Sequence, residues 1–157
     1  MSDVQMIRVP AQLVVFRVGP THYGLDIEAV EEILAPQAVT PVAGAPGGVL
    51  GLIDVRKKVV PVFDLHWKFG VPRNESDPSA RMILVETDDG PVALLVDSVE
   101  EVVTLPREAF QPVSAPGNVS ELSYLAGVVR HRDNLVLWVD QRPLVPSGIA
   151  RTAAVAA

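Results

Sequence analysis

The sequence predicts a mainly β protein made of two similar, small five-stranded barrels that pack on each other. An internal repeat carries this prediction, because residues 13–33 align without a gap with residues 82–102, at an offset of about 69. A second match aligns residues 51–64 with residues 127–140, at an offset of about 76. Both copies consist of short β-branched apolar runs separated by Gly, Pro and Asp turn signals. Such self-similarity indicates two copies of one supersecondary unit.

The sequence of the first half predicts five strands. Residues 12–18 and 23–27 form the first two, and a tight turn at Glu28-Ala29 leads into the third. Residues 36–48 are rich in Pro and Gly and predict a loop. Strands at 49–55 and 59–65 follow, joined by a hairpin turn at Arg56-Lys57-Lys58.

The second half repeats this plan. Turns are predicted at Asp89-Gly90, Asp97-Ser98 and Asp133-Asn134, with a longer loop at 106–121. The sequence therefore predicts a first barrel at 12–72, a polar joint at 73–80, a second barrel at 81–145 and a flexible tail at 146–157. A five-stranded unit of this size has a marginal core alone, so the two should pack together.

Composition excludes several classes of function. The net charge is −6, and no basic cluster exceeds Arg56-Lys57-Lys58, which argues against nucleic acid and anionic membranes as partners. The absence of cysteine excludes disulfides, thiolate metal sites and thiol catalysis, and fits a reducing compartment. No apolar run is long enough to span a bilayer and no signal peptide is evident, so we expect a cytoplasmic protein without direct membrane insertion.

Candidate catalytic groups are few. His22, His66 and His131 are far apart and lack metal-ligand spacing, so they are interpreted as turn or surface residues, and no metal or cofactor is expected. Neighbouring carboxylates in Glu31-Glu32 and Glu100-Glu101 point to opposite faces of a strand and cannot converge on one substrate atom. Asp64 and Asp140 recur at equivalent strand ends, which predicts turn-capping roles. An enzyme with a site between the barrels remains only a minor alternative.

Several motifs together resemble the family of the chemotaxis coupling protein CheW. In the first half these are YGLDIEAVEEIL at 23–34 and GLIDVRKKVVPVFDLHWKFG at 51–70. In the second half they are LLVDSVEEVVTLP at 94–106 and YLAGVVRHRDNLVLWVD at 124–140. The resemblance covers about residues 12–145 in the order of the family.

This resemblance implies two SH3-like barrels, no catalysis, and an adaptor that couples chemoreceptors to the histidine kinase CheA. The implied partners are the regulatory domain of CheA and the cytoplasmic tip of chemoreceptors, the methyl-accepting chemotaxis proteins, with self-association in rings as a further possibility. The protein would then be recruited from the cytoplasm to membrane-associated receptor arrays. The implied partner-binding residues are Arg56, Lys57, Val30, Glu32, Gly127 and Arg132, with the segment 127–132 on the kinase-facing side.

One departure from the family pattern concerns the first hairpin. Where the family has N-L-R-G, this chain has Asp54-Val55-Arg56-Lys57. Loss of the glycine removes the residue that most easily adopts positive φ in a tight turn. Either the turn differs or its strain is tolerated. An alternative function is therefore a kinase-binding regulator of a specialised chemosensory system, without normal receptor coupling.

Overall fold

The computed structural model describes residues 9–113 and 123–153. Within these ranges eleven strands form two sheets. The strands are β1 (Gln12–Val18), β2 (Thr21–Asp26), β3 (Val30–Leu34), β4 (Val49–Val55), β5 (Lys58–Asp64), β6 (Arg81–Thr87), β7 (Gly90–Val96), β8 (Ser98–Thr104), β9 (Phe110–Pro112), β10 (Leu125–His131) and β11 (Asn134–Val139). The short helices are α1 (Leu65–Phe69) and α2 (Gln141–Leu144), with 3-10 turns at Ile27–Ala29, Arg107–Ala109 and Ile149–Arg151. No helix of the described residues is long and apolar enough to cross a membrane.

The two halves of the chain exchange their first hairpins. One sheet, barrel I, has the order β3-β6-β7-β5-β4, and the other, barrel II, has the order β8-β1-β2-β11-β10-β9. Hairpin β1–β2 of the first half thus pairs with β8 and β11 of the second half. Hairpin β6–β7 of the second half likewise pairs with β3 and β5 of the first. The division into a barrel at 12–72 and another at 81–145 is therefore wrong for the strand pairing.

Burial on both faces explains why these hairpins lie at the centre. On β6, Met82 and Leu84 fill barrel I, whereas Ile83 and Val85 join a core shared by both barrels. A strand covered on both faces must be apolar along its whole length, as the sequence of β6 is. Three clusters result, one inside each barrel and a larger one between them. The predicted mainly β architecture of two packed SH3-like barrels is confirmed.

Two segments differ from the sequence-based expectation. The predicted tail at 146–157 is ordered in its first part, because Ile149 and Ala150 are buried in the shared core. The predicted loop at 106–121 begins with a 3-10 turn and β9, which gives barrel II a sixth, three-residue strand. The remainder of that loop, residues 114–121, lies outside the described residues.

The exchange predicts that neither half folds alone. Residues 9–78 expressed separately would lack both inner strands of barrel I, and residues 79–153 would lack those of barrel II. We expect each half to show the circular dichroism of an unfolded chain, and an equimolar mixture to recover β structure with a cooperative thermal transition. A cooperative transition in either half alone would contradict the exchanged topology.

Candidate interaction surface

The hairpin between β4 and β5 presents Arg56 at its tip. The Arg56 side chain is 71% exposed, yet its guanidinium forms a two-pronged ion pair with Glu32 on β3. Nη1 of Arg56 donates to Oε2 of Glu32 at 3.1 Å, and Nη2 contacts Oε1. Hydrogen bonding from Arg56 holds the pKa of Glu32 below its ordinary value. We call Arg56, Lys57 and Glu32 together tip I. The two contacts with Glu32 fix the direction of the planar Arg56 guanidinium, although this group faces solvent.

The second barrel repeats this arrangement. Arg132 at the tip of the β10–β11 hairpin lies 3.5 Å from the carboxylate of Glu101 on β8, measured from Nη1 to Oε1. Its side chain is 73% exposed, close to the value for Arg56. Glu101 and Arg132 are the repeat equivalents of Glu32 and Arg56. We call Arg132, Asp133 and Glu101 tip II, and the chain therefore carries two related arginine–glutamate tips.

Both tips keep a tight turn with two residues at positive φ. The φ angles are 50° at Arg56 and 70° at Lys57, and 49° at Arg132 and 67° at Asp133. These angles are typical of a type I′ hairpin turn. The amide of Lys57 donates to Oδ1 of Asp54 at 2.8 Å, which helps to hold the turn. The missing glycine left two alternatives, a different turn or a tolerated strain. The φ angles show that the tight turn is kept and that its strain is tolerated.

Lys57→Gly is expected to raise the free energy of unfolding by about 1 kcal/mol, because glycine removes the Cβ penalty at positive φ. Urea unfolding followed by circular dichroism measures the change. Asp133→Gly is the matched control in tip II and should gain less, since aspartate adopts this conformation more easily than lysine. A loss of stability in Lys57→Gly would show that the Lys57 side chain contributes to folding.

Exposed apolar residues recur at equivalent positions of the two barrels. Ile33 and Val102 form one repeat pair, 40% and 48% exposed, and Val59 and Leu135 form another, 47% and 50% exposed. A single exposed apolar side chain needs no explanation, but the same exposure at both copies indicates a duplicated surface. Sequence reasoning missed these four residues, although the repeat alignment contains the signal.

A small cleft of about 290 Å³ lies between tip I and strand β6. It is lined in part by Glu31, Lys58 and Glu86. Burial raises the pKa of Glu86, and hydrogen bonding to and repulsion from Glu31 raise it further, while Lys58 lowers it. Glu31 thus faces Glu86 whereas Glu32 binds Arg56, which confirms that the neighbouring glutamates diverge.

Glu86→Gln is expected to stabilise the protein more at neutral than at acidic pH. A carboxyl with a raised folded pKa destabilises the folded state as pH rises through its unfolded value, and this penalty persists at neutral pH. The substitution removes that penalty, so the gain should be present near pH 7 and vanish near about pH 3, below the unfolded pKa, where the carboxyl is protonated in both states. Urea unfolding at the two pH values tests this; equal effects at both would contradict the raised pKa of Glu86.

Two of the predicted contact residues lie less exposed than the tips. Val30 is partly buried, pairs with Val85 and packs against the shared core. Gly127 is buried, and a Cβ there would lie 2.7 Å from the carbonyl oxygen of Gln111. The structure brings Arg56, Lys57 and Glu32 together at tip I and places Arg132 at tip II. Gly127 occupies a packing position near the start of β10.

The groups considered for catalysis have structural contacts instead. Asp64 and Asp140 cap α1 and α2 through the amides of His66 and Arg142, as predicted. The interpretation of His66 as a surface or turn residue is wrong, because it is only 2% exposed and lies between two aspartates. Among the described residues no group of three or more His, Asp or Glu side chains could hold a metal ion.

Two exchanged barrels with duplicated charged tips and flanking apolar residues define a protein-interaction module. Comparison with known proteins gives its family. The model of the CheW-like domain matches residues 12–147, and the chain belongs to this family. Its members are non-catalytic scaffold proteins, which agrees with an adaptor role in chemotaxis.

Individual relatives span most of the chain. A chemotaxis protein CheW of Rhizobium meliloti (strain 1021) is 30% identical over 136 residues, covering 87% of this chain and 88% of that protein. Protein FrzA of Myxococcus xanthus is 27% identical over 119 residues, covering 76% of this chain and 74% of that protein. The crystal structure of scaffolding protein TtCheW from Thermoanaerobacter tengcongensis superposes with a TM-score of 0.78 at 26% identity, covering 92% of this chain and 93% of that one.

Proposed function

We propose that this protein is an adaptor that couples chemoreceptors to the histidine kinase CheA. The observation that carries the proposal is the duplicated tip, because a protein that joins two partners needs two interaction surfaces on one rigid body. Tips I and II lie on different barrels, and each combines an arginine–glutamate ion pair with exposed apolar neighbours. Arginine with apolar surroundings is the composition enriched in protein interfaces.

Each partner suits a different kind of surface. The regulatory domain of CheA, itself SH3-like by family resemblance, would dock barrel end to barrel end, with the segment from Gly127 to Arg132 facing the kinase. The helical tip of a chemoreceptor would lay an apolar stripe into a groove beside Arg56. Repetition of the barrel contacts in one direction would give rings, which is how the protein would join arrays at the cytoplasmic face of the membrane.

Size-exclusion chromatography with the regulatory domain of CheA from the same genome tests the kinase contact. We expect co-elution at protein concentrations of about ten micromolar, the range of a weak but specific interface. Arg132→Glu should weaken co-elution more than Lys68→Glu, a charge change of equal size on α1. Separate elution of the unaltered protein would contradict the kinase contact.

A second candidate function is suggested by the altered residues of the β4–β5 hairpin. Lys57 and Asp54 replace the glycine and asparagine of the family pattern at tip I, so this surface differs in charge from that of a standard coupling protein. The protein would then bind CheA and regulate a specialised chemosensory system without normal receptor coupling. Receptor-bearing vesicles separate the two functions, because only the coupling adaptor would bind CheA and receptor together.

A further inference from the structure

Lys57 occupies a backbone conformation that lysine adopts only at a cost in free energy. Its φ is 70°, in the left-handed region that favours glycine. The amide of Lys57 donates to Oδ1 of Asp54, but this contact uses the backbone and would form equally well with glycine at position 57. Residues held in such conformations cluster at functional sites, where the strain accompanies a role other than folding. The side chain of Lys57 is therefore a candidate for such a role.

No contact of the Lys57 side chain offsets this cost among the described residues. The residue is exposed, and within the described part of the chain its ammonium group has no carboxylate partner. The other two cations of the hairpin are engaged, since Arg56 pairs with Glu32 and the charge of Lys58 lowers the pKa of Glu86 beside the same cleft. The ammonium of Lys57 is thus available to a partner.

Tip II has the same backbone but the opposite charge at this position. Asp133 is the repeat equivalent of Lys57, is also exposed, and has a φ of 67°. The charges of the arginine and the glutamate cancel within each tip. The remaining formal charge is that of the second turn residue, which is positive at tip I and negative at tip II.

The residues that flank the two turns narrow this difference without removing it. Asp54 and Lys58 have opposite charges that cancel beside tip I. Beside tip II, Arg130 adds one positive charge, whereas Asn134 is neutral. Tip I therefore remains the more cationic of two tips that have nearly the same shape.

We propose that Lys57 makes tip I selective for a partner surface that carries a carboxylate opposite the turn, and that the receptor surface recognised by tip I is of this kind. This inference rests on the coupling function proposed above and adds the chemistry of the surface that tip I recognises. An aspartate or glutamate of the partner would form an ion pair with Lys57, but at tip II it would meet Asp133 as a like charge. Such a difference favours one partner and disfavours the other at two otherwise similar surfaces.

A series of substitutions at Lys57 tests the charge directly. Lys57→Gly removes the charge, and Lys57→Asp reverses it with a residue that tip II already holds in the same conformation. The apparent dissociation constant is measured by co-sedimentation with receptor-bearing phosphatidylcholine vesicles, with receptor-free vesicles as the blank. We expect binding to weaken by about threefold in Lys57→Gly and by at least about tenfold in Lys57→Asp.

Two comparisons separate the charge of Lys57 from folding and from the net charge of the protein. Lys57→Gly is expected to unfold at higher urea concentration than the unaltered protein although it binds more weakly, an order that a structural role would not produce. Lys68→Asp, a charge reversal of equal size on α1, is the matched control and should change vesicle binding by less than about twofold.

The outcomes distinguish this inference from the coupling function on which it rests. Equal or tighter binding in both Lys57 variants would overturn the inference and leave receptor coupling in place. A loss in Lys68→Asp as large as that in Lys57→Asp would also overturn it, because net charge alone would then explain the effect. Failure of the unaltered protein to bind receptor-bearing vesicles would contradict receptor coupling itself, and the inference with it.

Discussion

Gly51→Val is expected to prevent stable folding. Gly51 has a φ of 148°, and a Cβ at this position would lie 2.1 Å from the carbonyl oxygen of Thr40. That carbonyl accepts the amide of Leu52 at 2.8 Å, in the bridge that brings the segment after β3 back to β4. Strained backbone and overpacking each cost about 1 to 3 kcal/mol, so the combined loss should reach about 4 kcal/mol or more. This is a large part of the stability of an ordinary domain.

Circular dichroism and urea unfolding of alanine variants separate steric clash from backbone strain. Gly44→Ala also places a side chain at positive φ, 77°, but nothing lies within 4 Å of its Cβ. It should therefore lose only about 1 kcal/mol, the cost of the backbone conformation. Gly51→Ala should lose several times as much, and near-equal losses would contradict the close approach to Thr40.

Arg56→Ala is expected to abolish receptor coupling while leaving the melting temperature nearly unchanged. The side chain is exposed and its ion pair with Glu32 is screened by solvent, so folding depends little on it. An interface arginine with a fixed donor fork is by contrast a common hot spot, and we expect receptor-dependent activation of CheA to fall at least about tenfold. Kinase assays with receptor-bearing vesicles measure the activation, and thermal unfolding measures the stability.

The repeat supplies a matched control for Arg56. Arg132→Ala removes the equivalent side chain at tip II, which is similarly exposed and has a single ion-pair contact with Glu101. If tip I serves the receptor and tip II the kinase, Arg132→Ala should weaken CheA binding itself. A marked drop in melting temperature with normal coupling in Arg56→Ala would instead assign Arg56 a structural role.

The repeat alignment predicted the fold class and most strands, because apolar periodicity and turn residues are local properties of the sequence. It also aligned Gly51 with Gly127, and both lie at register shifts near the start of the strand before a tip. The alignment could not predict whether the strands of one half pair with each other or with strands of the other half. Similar copies can pair within or between halves with the same alternation of side chains, and only burial on both faces of β1, β2, β6 and β7 favours the exchange.

The candidate site was predicted in part. The family motif identified Arg56 and Glu32, but sequence spacing could not show that they form an ion pair, since 24 residues separate them. The burial of His66 between two aspartates was missed for a related reason. Its two partners are two and 31 residues away, and a lone histidine after a strand has no local pattern that distinguishes a buried bridge from a surface residue.

The most direct test of the coupling role is co-sedimentation of CheA with receptor-bearing vesicles in the presence and absence of this protein. The adaptor account predicts that the protein raises the sedimented fraction of CheA, and that Arg56→Ala, which remains folded, does not. Binding of the protein to CheA without any increase in sedimented CheA would contradict receptor coupling and favour the kinase-binding regulator. Failure to associate with either partner would contradict the adaptor function altogether.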